Sequence, residues 1–191
     1  MVKVMDRDYV KQSLNKSKKK KVLAIVGFSG SGKSVLEKNC VKKYPGLFNK
    51  LYQVSTRKRR EPMEDSYLFL SKKFYSKFKE FLWGKTEING DYYGTIPDLR
   101  KNKINTIILN EKGLKDFLKK ADPDVEFFVL GLDISLDDLP VKRKNRDEEH
   151  LEEERKVLKY AERIYTIEDA NYLNPKDVLD ILKEEDFIKK E

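Results

Sequence analysis

The sequence predicts an α/β fold, a parallel core sheet flanked by helices, and three observations predict it. Short apolar runs recur at 22–26, 104–109 and 125–130, with a weaker one at 163–167. The first of them is continuously apolar, as expected of a buried parallel strand. Segments of helical spacing at 33–44, 111–120, 136–160 and 175–189 separate or follow them, and such alternation argues for parallel strands joined by helical crossovers. Finally, 191 residues suit one domain with a substantial core.

Each element has its own signal. Residues 1–20 read as a basic leader, solvated and partly disordered, because Lys16-Ser17-Lys18-Lys19-Lys20-Lys21 concentrates charge ahead of the first apolar run. Val22-Leu23-Ala24-Ile25-Val26 is the first strand, and Gly27 ends it. The helix after it carries Val35, Leu36, Cys40 and Val41 on one face and stops at Pro45-Gly46. Residues 51–95 break the rhythm with short β-like runs at 52–56, 67–70, 86–88 and 92–95. A helix over 71–82, with Phe74, Phe78, Phe81 and Leu82 on one side, interrupts them. This is a small mixed α+β insertion. The strand at 104–109 ends in Asn110-Glu111, and the strand at 125–130 ends at Gly131.

Composition narrows the function classes. The formal charge of +8 favours anionic partners, nucleotides among them. The lysine leader lacks the interleaved aromatics of a single-strand reader, so nucleic acid is not an expected partner. No apolar stretch approaches the roughly 20 residues that span a bilayer, so no membrane association is expected. One cysteine, Cys40, and one histidine, His150, make neither an internal disulfide nor a zinc cluster. They suit a reducing, cytoplasmic setting, and His150 reads as a surface residue.

The chemistry concentrates in Gly27-Phe28-Ser29-Gly30-Ser31-Gly32-Lys33-Ser34, a full Walker A spacing between a strand and a helix. Glycines let main-chain N–H groups approach phosphate oxygens, and the helix adds its positive dipole end. Lys33 supplies a mobile cation for the outer phosphates, and the Ser34 hydroxyl is the candidate Mg²⁺ ligand. A switch GTPase would need an Asn-Lys-x-Asp base reader and an Asp-x-x-Gly element, and neither occurs. A motor ATPase would need an acid at the end of a later strand, where Glu111 is a weak candidate, and the chain is short for one.

Further along, Val54-Ser55-Thr56-Arg57-x-x-Arg60, then Tyr67-x-Phe69, then Gly90-Asp91-Tyr92-Tyr93-Gly94-Thr95 resembles the monophosphate-binding lobe of guanylate kinases. Phe127-Phe128-Val129-Leu130 followed by Ser135-Leu136-Asp137-Asp138-Leu139 is similar to that family's strand and lid entry. The resemblance spans about residues 21 to 188. It implies a P-loop nucleoside monophosphate kinase fold: a domain over 21–191, a lobe at about 51–102 and a helical lid at about 136–156. The implied reaction moves the γ-phosphoryl group of ATP, held with Mg²⁺, to GMP or dGMP, in a monomer or homodimer.

The residues support a clamp on their own account. Arg57 and Arg60 offer forked donors, while Ser55, Tyr67 and Tyr93 offer neutral hydroxyls, a set suited to a phosphate. Taken alone, Arg57-Lys58-Arg59-Arg60 would read as an exposed basic patch. By resemblance Thr95 meets a base edge, Arg143, Arg146 and Arg155 are the lid arginines over the triphosphate, and Thr166 stands at the adenine-side position. A lid of this kind excludes water from the transfer. The neighbouring Glu148, Glu149, Glu152, Glu153 and Glu154 argue alternatively for helical ion pairs with these arginines.

The pattern departs from the family in three places. The usual Asp-x-Asp is Ile108-Leu109-Asn110, leaving Asn110 on the substrate side. The acid expected before Tyr93 has Gly84 at the simple offset with Glu80 or Glu87 nearby, and Glu87 is the choice. The loop from Arg60 to Tyr67 is two residues short, with Ser66 for Asp. These changes leave open an altered base specificity, or a catalytically weak or inactive binding module.

Overall fold

A computed structural model describes residues 2–134, 154–167 and 173–188, with side chains from residue 8 onward. Its centre is a five-stranded sheet in the order β2-β7-β1-β8-β9, formed by β1 (Lys20–Gly27), β2 (Phe48–Lys50), β7 (Ile104–Ile108), β8 (Val125–Ile134) and β9 (Arg163–Ile167). Every neighbouring pair is parallel. Alternate residues of β1 enter opposite cores. Leu23 and Ile25 pack with α2 (Lys33–Lys43) and α5 (Pro175–Glu184), whereas Val22, Ala24 and Val26 pack with α4 (Glu111–Lys120) and the 3₁₀ turn Lys156–Tyr160. Three layers result, α/β/α, as an all-parallel sheet requires.

The strands expected at 22–26, 104–109, 125–130 and 163–167 and the helices expected at 33–44, 111–120 and 175–189 are present, with local differences, while most of the helix expected at 136–160 lies outside the described residues. β8 does not stop at Gly131 but runs on to Ile134. Leu158 and Ala161 pack at Gly131 so closely that a Cβ there would meet them at 2.9 and 3.1 Å. The glycine admits a neighbouring layer rather than ending the strand. β2 was not expected, since three residues are too short for periodicity to register. α4 is capped by the Asn110 side chain, and α5 by a capping box of Asn174 and Asp177.

The amino-terminal stretch corrects the leader. Val2–Lys16 is a helix, α1, and Val10 and Leu14 are fully buried in the same core as Val178, Leu182 and Phe187. Their i, i+4 spacing puts both on one face. Burying a Leu or Val side chain stabilises by about 1.5–3 kcal/mol, enough to hold a helix whose other residues are mostly polar.

Between β2 and β7 the chain builds a second sheet, in the order β4-β3-β6-β5, from β3 (Gln53–Ser55), β4 (Leu68–Phe69), β5 (Trp83–Ile88) and β6 (Asp91–Thr95). α3 (Lys72–Phe78) covers one of its faces and continues into a 3₁₀ turn, Lys79–Phe81. The aromatic stripe on this helix does not form the lobe's core. Phe74, Phe78 and Phe81 are 49, 43 and 73% exposed, while Tyr75 points inward, stacks on Tyr92 at 5.4 Å and donates its hydroxyl to the Tyr93 carbonyl. Of the seven residues of this helix only Tyr75 is buried.

The lobe is mounted on the carboxyl edge of the large sheet. Gln53 Nε2, on β3, donates to the Ile108 carbonyl at the end of β7 at 3.0 Å. That edge, beyond the strand ends, is where open parallel sheets bind ligands.

Candidate functional site

The Gly-rich loop joins β1 to α2 at this same edge. Gly27 pairs with Leu132 and has φ +132°, and a Cβ there would lie 2.0 Å from the Leu132 carbonyl oxygen. Only glycine lets β1 and β8 run side by side to the loop's first residue. The Phe28 ring is buried in the core, so the loop is anchored by that side chain. The Ser31 hydroxyl, also buried, donates to the Phe28 carbonyl at 2.9 Å. Gly32 precedes α2 in the left-handed region without a side-chain cap, and a helix amino terminus of this kind favours an anion through its dipole. The Lys33 ammonium folds back onto the loop, donating to the carbonyls of Gly27, at 2.7 Å, and Phe28. Ser34 is exposed in the first turn.

A carboxylate already touches this loop. Ser29 N–H donates to Glu154 Oε2 at 2.8 Å. Beside it the Arg155 guanidinium lies 5.0 Å from the Phe28 ring centroid and 3.3 Å from Asp133 Oδ1. Of the three lid arginines, Arg155 therefore contacts the loop. Arg143 and Arg146 lie outside the described residues, as do His150 and most of the expected lid.

The clamp residues gather on the lobe. Ser55 pairs with Tyr93 and Gln53 with Thr95, so strand alternation puts all four on one face. Ser55 is fully buried and its hydroxyl accepts the Arg57 N–H at 3.2 Å. The Arg57 guanidinium stacks 5.2 Å from Tyr67 and 5.1 Å from Phe69, and Tyr67 meets Tyr93 edge-on at 5.6 Å. Burial pushes the Tyr67 phenol up, with the nearby Tyr93 adding to it and Arg57 opposing it. The phenol is thus held as a neutral donor.

Arg57 is not left to the rings alone. Both of its terminal nitrogens donate to the Glu64 carboxylate, Nη1 at 2.9 Å. The same carboxylate accepts the Arg60 N–H at 2.8 Å and the Ser66 hydroxyl at 2.6 Å. Hydrogen bonds from Arg57, then from Ser66 and the Arg60 main chain, hold Glu64 well below the usual carboxylate range, and Glu64 in turn raises Arg57. The Arg60 side chain itself is exposed.

On the expected base side the structure corrects one residue. Glu87 pairs with Tyr92, and Thr86 pairs with Tyr93. Glu87 is therefore on the face opposite Ser55, Tyr93 and Thr95, and is exposed. Thr86 occupies the facing position and accepts a hydrogen bond from Asn110 Nδ2 at 3.3 Å. Asn110 Oδ1 is engaged in capping α4, accepting from Gly113 N–H at 2.8 Å. Thr95 is fully buried, and its hydroxyl has no hydrogen-bond partner among the described residues. An unmade buried hydrogen bond costs about 1–3 kcal/mol, so this hydroxyl is a candidate for a ligand contact. Thr166 pairs with Asp133 at the far edge of the large sheet.

Four contributors were missed from sequence: Gln53, Glu64, Thr86 and Glu154. Glu64 follows Arg57 by seven residues across a turn, a separation that carries no periodic signal. Glu154 sits in a run of glutamates that reads as a solvated face.

No family model matches the sequence, and no curated protein matches it. Among solved structures, the chain is similar to guanylate kinase from Anaplasma phagocytophilum, with a TM-score of 0.63 and 16% sequence identity. The match covers 89% of this chain and 87% of that one. The chain therefore has a guanylate-kinase-like α/β fold, with a mostly parallel central sheet flanked by helices.

Proposed function

We propose that this chain is an ATP-dependent nucleoside monophosphate kinase that moves the γ-phosphoryl group of ATP to GMP or dGMP. The observation that carries the reading is the pairing of two anion cradles at one sheet edge. A main-chain loop with Lys33 is mounted at the carboxyl end of β1, and the Arg57–Tyr67–Tyr93 cluster lies on a lobe anchored there through Gln53. The likeness to a guanylate kinase supports the fold part of the reading.

In this reading 28–34 wraps the donor phosphates, and Lys33 exchanges the Gly27 carbonyl for phosphate oxygens. Arg57 and Arg60 hold the acceptor phosphate, with Ser55, Tyr67 and Tyr93 completing its hydrogen bonds. Thr95, Thr86 and Asn110 border the base. Arg155, with Arg143 and Arg146 of the lid, brings positive charge to the transferring group. Catalysis is positioning plus charge stabilisation, with direct in-line attack by an acceptor oxygen. The donors near the loop are hard oxygens, the exposed Ser34 hydroxyl and the Glu154 carboxylate, and they fit Mg²⁺ carried with ATP. When bound, that ion would offset phosphate charge. The implied setting is a cytoplasm that supplies ATP, with about 51–102 as the monophosphate lobe and about 136–156 as the lid.

An ADP-release assay across all eight ribo- and deoxyribonucleoside monophosphates tests this. GMP or dGMP should turn over, and Lys33→Ala should abolish the activity. Release with pyrimidine monophosphates alone would remove the guanylate assignment and keep the kinase. One observation favours a second reading, a weak or altered-specificity enzyme or a binding module. Ile108 and Asn110 replace the family's acids, and Asn110 is spent on capping α4. Binding of GMP without turnover, unaffected by Lys33→Ala, would establish the binding module.

A further inference from the structure

Four donors converge on the Glu64 carboxylate: the two terminal nitrogens of Arg57, the Arg60 main-chain N–H and the Ser66 hydroxyl. The two side chains of the pair are only 11 and 16% exposed. Parallel guanidinium bonds, a main-chain N–H and a hydroxyl are also the donors that a phosphate monoester asks for. The carboxylate thus holds the fork that would otherwise face a ligand.

We propose that Glu64 is an internal competitor for the phosphate subsite of the clamp, and that it selects dianionic phosphate monoesters over monoanions. A singly charged ligand replaces one carboxylate by another anion of equal charge. It gains nothing electrostatically and gives up a tethered partner whose effective concentration is in the millimolar range or above. A dianion brings a second charge to a cluster that also contains Arg60 and Arg59, and that surplus drives the exchange. A phosphate monoester becomes dianionic above its second pKa of about 6, so binding should strengthen as pH rises through that value. Glu64 stays charged through the same range because its donors hold it low, and the pH dependence belongs to the ligand. Ser66 keeps Glu64 aimed at Arg57. It stands where the related lobe carries an acid, and among the described residues Glu64 is the carboxylate that pairs with Arg57.

The inference rests on reading Arg57 as an anion clamp and does not need phosphoryl transfer. Calorimetric titration with inorganic phosphate at pH 5.5 and pH 8, and separately with GMP, tests it on the full chain. Glu64→Gln keeps the shape and removes the charge, and should bind phosphate about tenfold more tightly at pH 8, the size of one relieved charged hydrogen bond. Its affinity should also fall less at pH 5.5 than that of the parent. Ser66→Ala should give a smaller gain in the same direction, which guards against a Glu64 variant that folds poorly. Adding Arg57→Ala to Glu64→Gln should cancel the gain, separating this subsite from the Gly-rich loop. Equal or weaker phosphate binding in Glu64→Gln and Ser66→Ala, or a gain that survives loss of Arg57, would overturn the proposal. Should no monophosphate turn over while the gain appears, the competitor stands and the kinase falls. Turnover with no gain keeps the kinase and removes the competitor.

Discussion

Replacing Gly27 by alanine probes the junction between β1 and the Gly-rich loop. Two costs add. At φ +132° an L side chain is strained, and residues held in such regions cost about 1–3 kcal/mol. The new Cβ would also lie 2.0 Å from the Leu132 carbonyl oxygen and 2.9 Å from its carbon. These are main-chain atoms of the neighbouring strand and cannot rotate away, so β1 and β8 must separate locally. Overpacking of this kind costs about 1–3 kcal/mol more. The sum, about 2–6 kcal/mol, corresponds to a fall in Tm of roughly 5–20 °C for a chain of this size. Urea unfolding followed by circular dichroism measures it, with Gly46→Ala as control, since nothing lies within 4 Å of a Cβ there. A shift in midpoint at constant slope is expected for Gly27→Ala and little change for Gly46→Ala. A cost below about 1 kcal/mol would mean that the two strands do not approach as described, and the loop would need a different anchor.

Two further outcomes are open to measurement. Leu14→Ala should destabilise by about 2–5 kcal/mol in the same urea assay, as for other buried leucines, whereas a solvated leader would give a change near zero. The Cys40 thiol, fully buried, is pushed up to about 12 by burial, with Glu37 adding to the effect. It should resist alkylation at pH 8 in the folded chain and react readily in denaturant. With the folded value raised, its contribution to stability is complete below the unfolded value and is lost as pH climbs from about 9 toward 12.

Much of the frame was legible because it is local. A continuous apolar run marked β1, shorter or interrupted runs marked β7, β8 and β9, and a strand, a glycine turn and a helix in succession marked the loop. The helix starts expected at 111 and 175 coincide with caps by Asn110 and Asn174, whose chemistry acts within three residues. The α1 helix was obscured by its lysines, although Val10 and Leu14 carried the helical spacing. Only the core built by α5 and Phe187 shows that this face is buried.

Position across space was decided by the tertiary structure. Glu87 and Thr86 are adjacent in sequence and both polar. The pairing of β5 with β6, with its bulge after Trp83, determines which of them lies on the face of Tyr93. Likewise a glutamate seven residues from Arg57 comes to pair with it, and another 125 residues from Ser29 comes to meet the Gly-rich loop. Propensity and spacing act over a few residues and state which elements form. Register, sheet face and the closing of an ion pair depend on chain segments meeting at a distance, which the folded core alone brings about.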